Sequence, residues 1–174
     1  NVPLKRQKEV LEKQLQIAAE WKKPVVLHTK DQEREILGLI RKYPNTYLVH
    51  WYSADRDLDG YLDLDCYFSI GPDVIWNPAV QRVARQVPEN RILLETDGMD
   101  AVKWAWEEGQ KNQNYAIKEQ ESIRETTQKQ PEEIVVKDSL HATARKAAKL
   151  RNSSPEILIS LTTDNFLTFL GNSY

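Results

Sequence analysis

Apolar residues recur along the first hundred positions in two alternating rhythms. Leu4, Leu11, Leu15, Ala18 and Ala19 fall at spacings near three and four behind Pro3, predicting an amphipathic helix over 3–22 that Pro24 stops. The run Pro24 to His28 is short, β-branched and apolar nearly throughout, the pattern of a strand buried on both faces. Ile36, Leu37, Leu39, Ile40 and Tyr43 then mark a helical stripe over 32–43, and Pro44 ends it before a second strand, 46–50. A third unit is a short helix over 57–64 and a strand over 66–70 stopped by Gly71 and Pro72. The fourth is a helix over 78–87, with Val80, Val83, Ala84 and Val87 on one side, broken by Pro88 before the strand 91–95. Repeated helix-then-strand units predict a parallel α/β sheet, because parallel neighbours need crossover helices.

After Asp97 the rhythm changes. The stretch from about Ala101 to Gln130 is rich in Gln, Glu, Lys and Asn, with Trp104, Trp106, Tyr115 and Ile117 as its few apolar anchors. It reads as long, partly exposed helices, with a flexible loop around Gln110 to Asn114. Pro131 restarts a helix carrying Ile134, Val135, Leu140, Ala144 and Ala147, and Ser154 with Pro155 forms an N-cap and first turn. The final helix carries Ile157, Leu158, Leu161, Phe166 and Phe169, stops at Gly171 and packs on the sheet. Residues 1–174 are thus one domain, with α/β units over 1–100 and a helical part over 101–174.

Composition narrows the function. The 24 basic and 26 acidic residues nearly cancel, so any grip on nucleic acid is local rather than a diffuse basic coat. No stretch approaches the apolar length of a membrane span. Cys66 is the single cysteine, which excludes an internal disulfide and a cysteine-based zinc site and favours a reducing, cytoplasmic setting.

The chemistry gathers where strands end. Val-Val-Leu-His28, Tyr-Leu-Val-His50 and Leu-Leu-Glu-Thr-Asp97 each close an apolar run with a side chain able to bind metal. Carboxyl ends of parallel strands face one side, so groups placed there converge. Strand alternation puts Asp97, Glu95 and Leu93 on a shared face, as it does His28 with Val26 and His50 with Leu48. Two imidazoles and a carboxylate suit a divalent ion with open positions, which lowers the pKa of bound water and polarises a phosphoryl or carbonyl oxygen.

At these residues the chain resembles the TatD-like metal-dependent deoxyribonuclease family. The matching stretches are 14–20, PVVLHTK at 24–30, YLVHWYSA at 47–54, YFSIGP at 67–72, 87–91, ILLETDG at 92–98 and DNFLTFLG at 164–171. The resemblance implies a (β/α)8 barrel of TIM type, of which this chain supplies about the last four strands plus C-terminal helices. It implies that His28, His50 and Asp97 are metal ligands on the fifth, sixth and eighth barrel strands. Two divalent ions are implied in the complete site, Mg, Mn or Zn, with DNA or a small phosphoester as substrate. Asp97 is the catalytic residue on this reading, binding a second metal or helping to deprotonate the attacking water.

The family pattern also has an HxH pair on the first strand and a bridging Glu on the fourth, and this chain contains no HxH. A (β/α)8 barrel takes about 250 residues, so the chain reads as the C-terminal part of one. Around the ligands, HTK stands where HSR is common, YSA for FSG and ETDGM for ETDAP. Amide, ester or lactone hydrolysis on the same scaffold is the rival enzymatic reading, and a binding protein without the site is the non-catalytic one.

Further candidates have ordinary explanations beside them. Glu95 orients a ligand from behind, or lines the barrel as a paired carboxylate. Lys30 meets a substrate phosphate, or is a loop lysine. Trp51 and Trp76 stack a base or sugar, or pack under loops. Arg145, Lys146, Lys149 and Arg151 are the densest basic cluster, with a solvated helix end as the default. His141 reads as a surface or packing residue.

Overall fold

The computed structural model describes residues 2–111 and 136–171. Four strands, β1 (Val25–His28), β2 (Tyr47–His50), β3 (Tyr67–Ile70) and β4 (Ile92–Leu94), form one parallel sheet in the order β1-β2-β3-β4. Helices α1 (Leu4–Glu20), α2 (Glu33–Ile40), α3 (Leu58–Leu62) and α4 (Pro78–Gln86) precede successive strands. After β4 come α5 (Gly98–Lys111), α6 (Val136–Leu150) and α7 (Pro155–Phe169). The expected helix-then-strand order holds throughout, trimmed by one to three residues at most ends.

The two faces of the sheet differ. Leu27, Val49, Phe68, Ile70 and Ile92 point toward the helices and pack with Leu15, Ile40, Tyr61, Val83 and Leu158 in the main core. Leu48, Tyr67 and Leu93 point the other way and, among the described residues, form a small cluster with Phe169. Val26 shares that second face and is 59% exposed, so β1 is buried on one face only, against the expectation of burial on both. Its apolar run reflects a face that is apolar but uncovered among the described residues. None of the described helices is long and apolar enough to cross a membrane.

Two 3-10 turns, Pro72–Ile75 and Glu89–Arg91, lie where a plain strand stop and the beginning of a strand are expected. Gln110 and Lys111 continue α5 rather than starting a loop, because the helical pattern outlasts the polar composition, while 112–114 lie outside the described residues. The helix start placed at Pro131 also lies outside them. Ser154 caps α7, its Oγ accepting from the Ile157 amide at 3.2 Å. Buried Asn165 ties α7 to the sheet by donating to the Glu89 and Ile92 carbonyls at 2.7 and 2.8 Å. Arg151 donates to the Ala84 and Val87 carbonyls, both at 2.8 Å, and so closes the C-terminal end of α4. One member of the basic cluster therefore has a structural task.

Candidate metal centre

Register brings the histidines together. His28 pairs directly with His50 across β1 and β2, and both side chains project from the same face. Their ring centroids lie 5.5 Å apart at 37°. β4 ends at Leu94, but the Glu95 amide still bonds the Ile70 carbonyl at 3.1 Å, keeping Glu95 in line with that face. Asp97 lies beyond the strand with φ 54°, so a left-handed turn, and not strand alternation alone, aims its carboxylate back.

His50 sits between two carboxylates. Its Nδ1 is 2.5 Å from Glu95 Oε2, and its Nε2 is 3.6 Å from Asp97 Oδ2. Glu95 is in turn held by Oε1, which accepts from Ser69 Oγ at 2.5 Å and from the Trp51 amide at 2.9 Å. That amide is available because Trp51 adopts φ 44°, a left-handed conformation uncommon for a bulky residue. The bond to Glu95 holds the His50 imidazole pKa above its usual value, with burial opposing and the Asp97 charge assisting. With Nδ1 engaged by Glu95, Nε2 is the ring nitrogen that faces Asp97 and would bind an ion through its lone pair.

A cavity of about 350 Å³ opens at this point, lined by His28, Lys30, His50, Trp51, Asp97 and Trp104 among others. The structure thus gathers the sequence candidates His28, Lys30, His50, Trp51 and Asp97 on one cavity and puts Glu95 behind His50. Trp51 is anchored rather than free: its Nε1 donates to Asp73 Oδ1 at 2.7 Å. Trp76 does the same with the Ala105 carbonyl at 2.8 Å.

Asp73 and Asn77 also line the cavity and are absent from the sequence candidates. Asp73 is 1% exposed, and burial pushes its carboxyl up to about 6 against the hydrogen bonds from Asn77 and Trp51. Nothing in Gly-Pro-Asp marks it, since a carboxylate after such a pair is ordinary turn chemistry.

The residues fit a divalent ion in chemistry and, at His50 and Asp97, in spacing. Two donors about 2.1 Å from one ion at a near-tetrahedral angle stand roughly 3.4 Å apart, close to the observed 3.6 Å. The fit is partial: among the described residues, no three His, Cys, Asp or Glu side chains form a complete metal-holding group.

Parallel strands with helical crossovers and polar side chains converging at the carboxyl ends define an α/β chain of the TIM-barrel type, with four strands among the described residues. A family model described as TatD related DNase matches residues 1–171, and the chain belongs to that family. It is 37% identical over 98 residues to the uncharacterized metal-dependent hydrolase YcfH of Escherichia coli K12, a match covering 53% of this chain and 37% of that protein. A 3'-5' ssDNA/RNA exonuclease TatD of Edwardsiella piscicida is 30% identical over 99 residues, covering 53% and 38%. The crystal structure of YJJV, a TatD homolog of Escherichia coli K12, superposes with TM-score 0.68 at 18% identity, covering 96% of this chain and 57% of that one. The chain thus spans well under two thirds of the relatives it matches.

Proposed function

We propose that the protein to which this chain belongs is a divalent-metal-dependent phosphodiesterase acting on nucleic acid, with His28, His50 and Asp97 contributing to its metal site. The observation that carries this reading is the placement of His50, its Nδ1 fixed by Glu95 and its Nε2 directed at Asp97 beside His28. A relative named as a 3'-5' ssDNA/RNA exonuclease and another named as a 3'-5' RNA nuclease, TATDN2 of Homo sapiens, support nucleic acid as the substrate class. A bound ion supplies charge neutralisation at the phosphoryl oxygens and a more acidic water.

The chain's own residues do the remaining work. His28 and His50 offer imidazole nitrogens, and Glu95 keeps the His50 ring orientation. Asp97, with its side chain 55% exposed, would offer a carboxylate oxygen to an ion shared with His50, to a second ion, or to the proton of the attacking water. Lys30, exposed at the rim, meets a substrate phosphate. Two ions, Mg, Mn or Zn, would occupy the complete site, as the family resemblance implies. A reducing, cytoplasmic setting suits Cys66, whose buried thiol is pushed up to about 12.

The test is hydrolysis of labelled single-stranded DNA and RNA by the full-length protein after chelation and after return of Mg, Mn or Zn. Activity lost with chelator and restored by metal is expected. Metal-dependent hydrolysis of amides, esters or lactones with none of phosphodiesters would establish the rival reading.

A further inference from the structure

One wall of the cavity is aromatic, and its most exposed member is Trp104 on α5. Trp104 is 45% exposed and lines the same cavity as His28, Lys30 and Asp97. Its ring lies 6.0 Å from Trp51 at 69° and 5.9 Å from Trp76 at 58°. The two supporting indoles are fixed at their polar ends, Trp51 by Asp73 and Trp76 by the Ala105 carbonyl.

Both supports also lie in slots that only glycine provides. A Cβ on Gly71 would stand 2.5 Å from Trp51 Cε2, and a Cβ on Gly109 would stand 2.8 Å from Trp76 Cδ1. Packing of this kind immobilises Trp51 and Trp76, against which Trp104 rests at the cavity wall. A solvent-facing indole held rigid in this way has little conformational freedom to lose when a flat ring settles on it.

We propose that Trp104 is a stacking platform for a nucleobase flanking the phosphodiester held at His28, His50 and Asp97. The substrate class is single-stranded nucleic acid with an unpaired base near the scissile bond, because a base still stacked in a duplex does not offer a free face. This rests on the phosphodiesterase reading for the position of the phosphate, while the stacking itself depends on Trp104. On this proposal the stacking role weighed against packing for Trp51 and Trp76 falls to Trp104, and those two indoles are its packed supports.

The experiment measures binding rather than turnover, in the full-length protein with chelator present to prevent cleavage. Fluorescence anisotropy compares a labelled oligothymidine with an oligomer of equal length carrying abasic tetrahydrofuran residues. Wild type is expected to bind the base-bearing strand at least about fivefold more tightly. Trp104→Ala should abolish that preference and leave abasic binding within twofold, and Trp104→Phe should keep most of it. Wild type without a preference, or Trp104→Ala weakening both strands equally, overturns the proposal. A Trp104-dependent preference in a protein that hydrolyses no phosphodiester leaves the platform standing and removes the hydrolase reading instead.

Discussion

Glu95 accepts hydrogen bonds from His50, Ser69 and the Trp51 amide, so the orientation of the candidate ligand depends on one carboxylate. Glu95→Gln keeps the shape but removes the charge that holds the His50 proton. Metal affinity should fall about 10- to 100-fold, measured by calorimetric titration of chelator-stripped full-length protein. An unchanged affinity would mean that Glu95 does not orient His50. The same contact fixes a pH effect. Because the folded pKa of His50 lies above its unfolded value, its contribution to metal-free stability is present below about pH 6.5 and disappears as pH rises through the raised value. Melting of wild type and His50→Gln across pH 5–9, without metal, should show their difference shifting in that direction. The placement of His28 and His50 on one cavity was legible because each closes an apolar run at a strand end, whereas Asp97 reaches that cavity through a left-handed turn beyond β4. Glu95 was legible as a neighbour of Asp97 but with two roles open, since sequence spacing does not reveal that its carboxylate meets an imidazole from β2. Asp73 was not legible, its burial arising only when the turn after β3 folds beneath Trp51.

At the scale of elements, periodicity located all four strands and the helices before them, because each strand is short, apolar and bracketed by Pro, Gly or polar turns. The sequence was less informative about which faces are covered: Val26 has the composition of a core residue and lies on the uncovered side. The glycine after β3 is set by packing rather than by backbone conformation. Gly71 has φ −85°, which alanine tolerates, but a methyl group there meets the Trp51 ring. Gly71→Ala should cost about 1–3 kcal/mol through overpacking, with altered tryptophan fluorescence showing that the aromatic wall has moved; chemical denaturation reads the first and emission spectra the second. Asn165→Ala should cost a similar ~1–3 kcal/mol, because it leaves the Glu89 and Ile92 carbonyls without their α7 donor. A loss confined to a few tenths would mean that water replaces the amide at both carbonyls.

At the scale of the molecule, the four strands form an open parallel sheet among the described residues, with the candidate ligands at its carboxyl ends. The resemblance to an eight-stranded barrel was legible from the ordered motifs, but the partial ligand geometry among the described residues required coordinates. The central claim is that Asp97 and the two histidines serve one metal-dependent reaction. Lys30→Ala should raise KM more than it lowers kcat if its ammonium meets phosphate, as steady-state kinetics on an oligonucleotide will register. The most direct measurement is kcat/KM for nucleic acid hydrolysis by full-length wild type and Asp97→Ala, with bound metal quantified and folding checked in both. The expected result is a loss of about a hundredfold or more, roughly 3 kcal/mol in the barrier, in a protein that still folds. An Asp97→Ala enzyme with undiminished metal-dependent activity would contradict it.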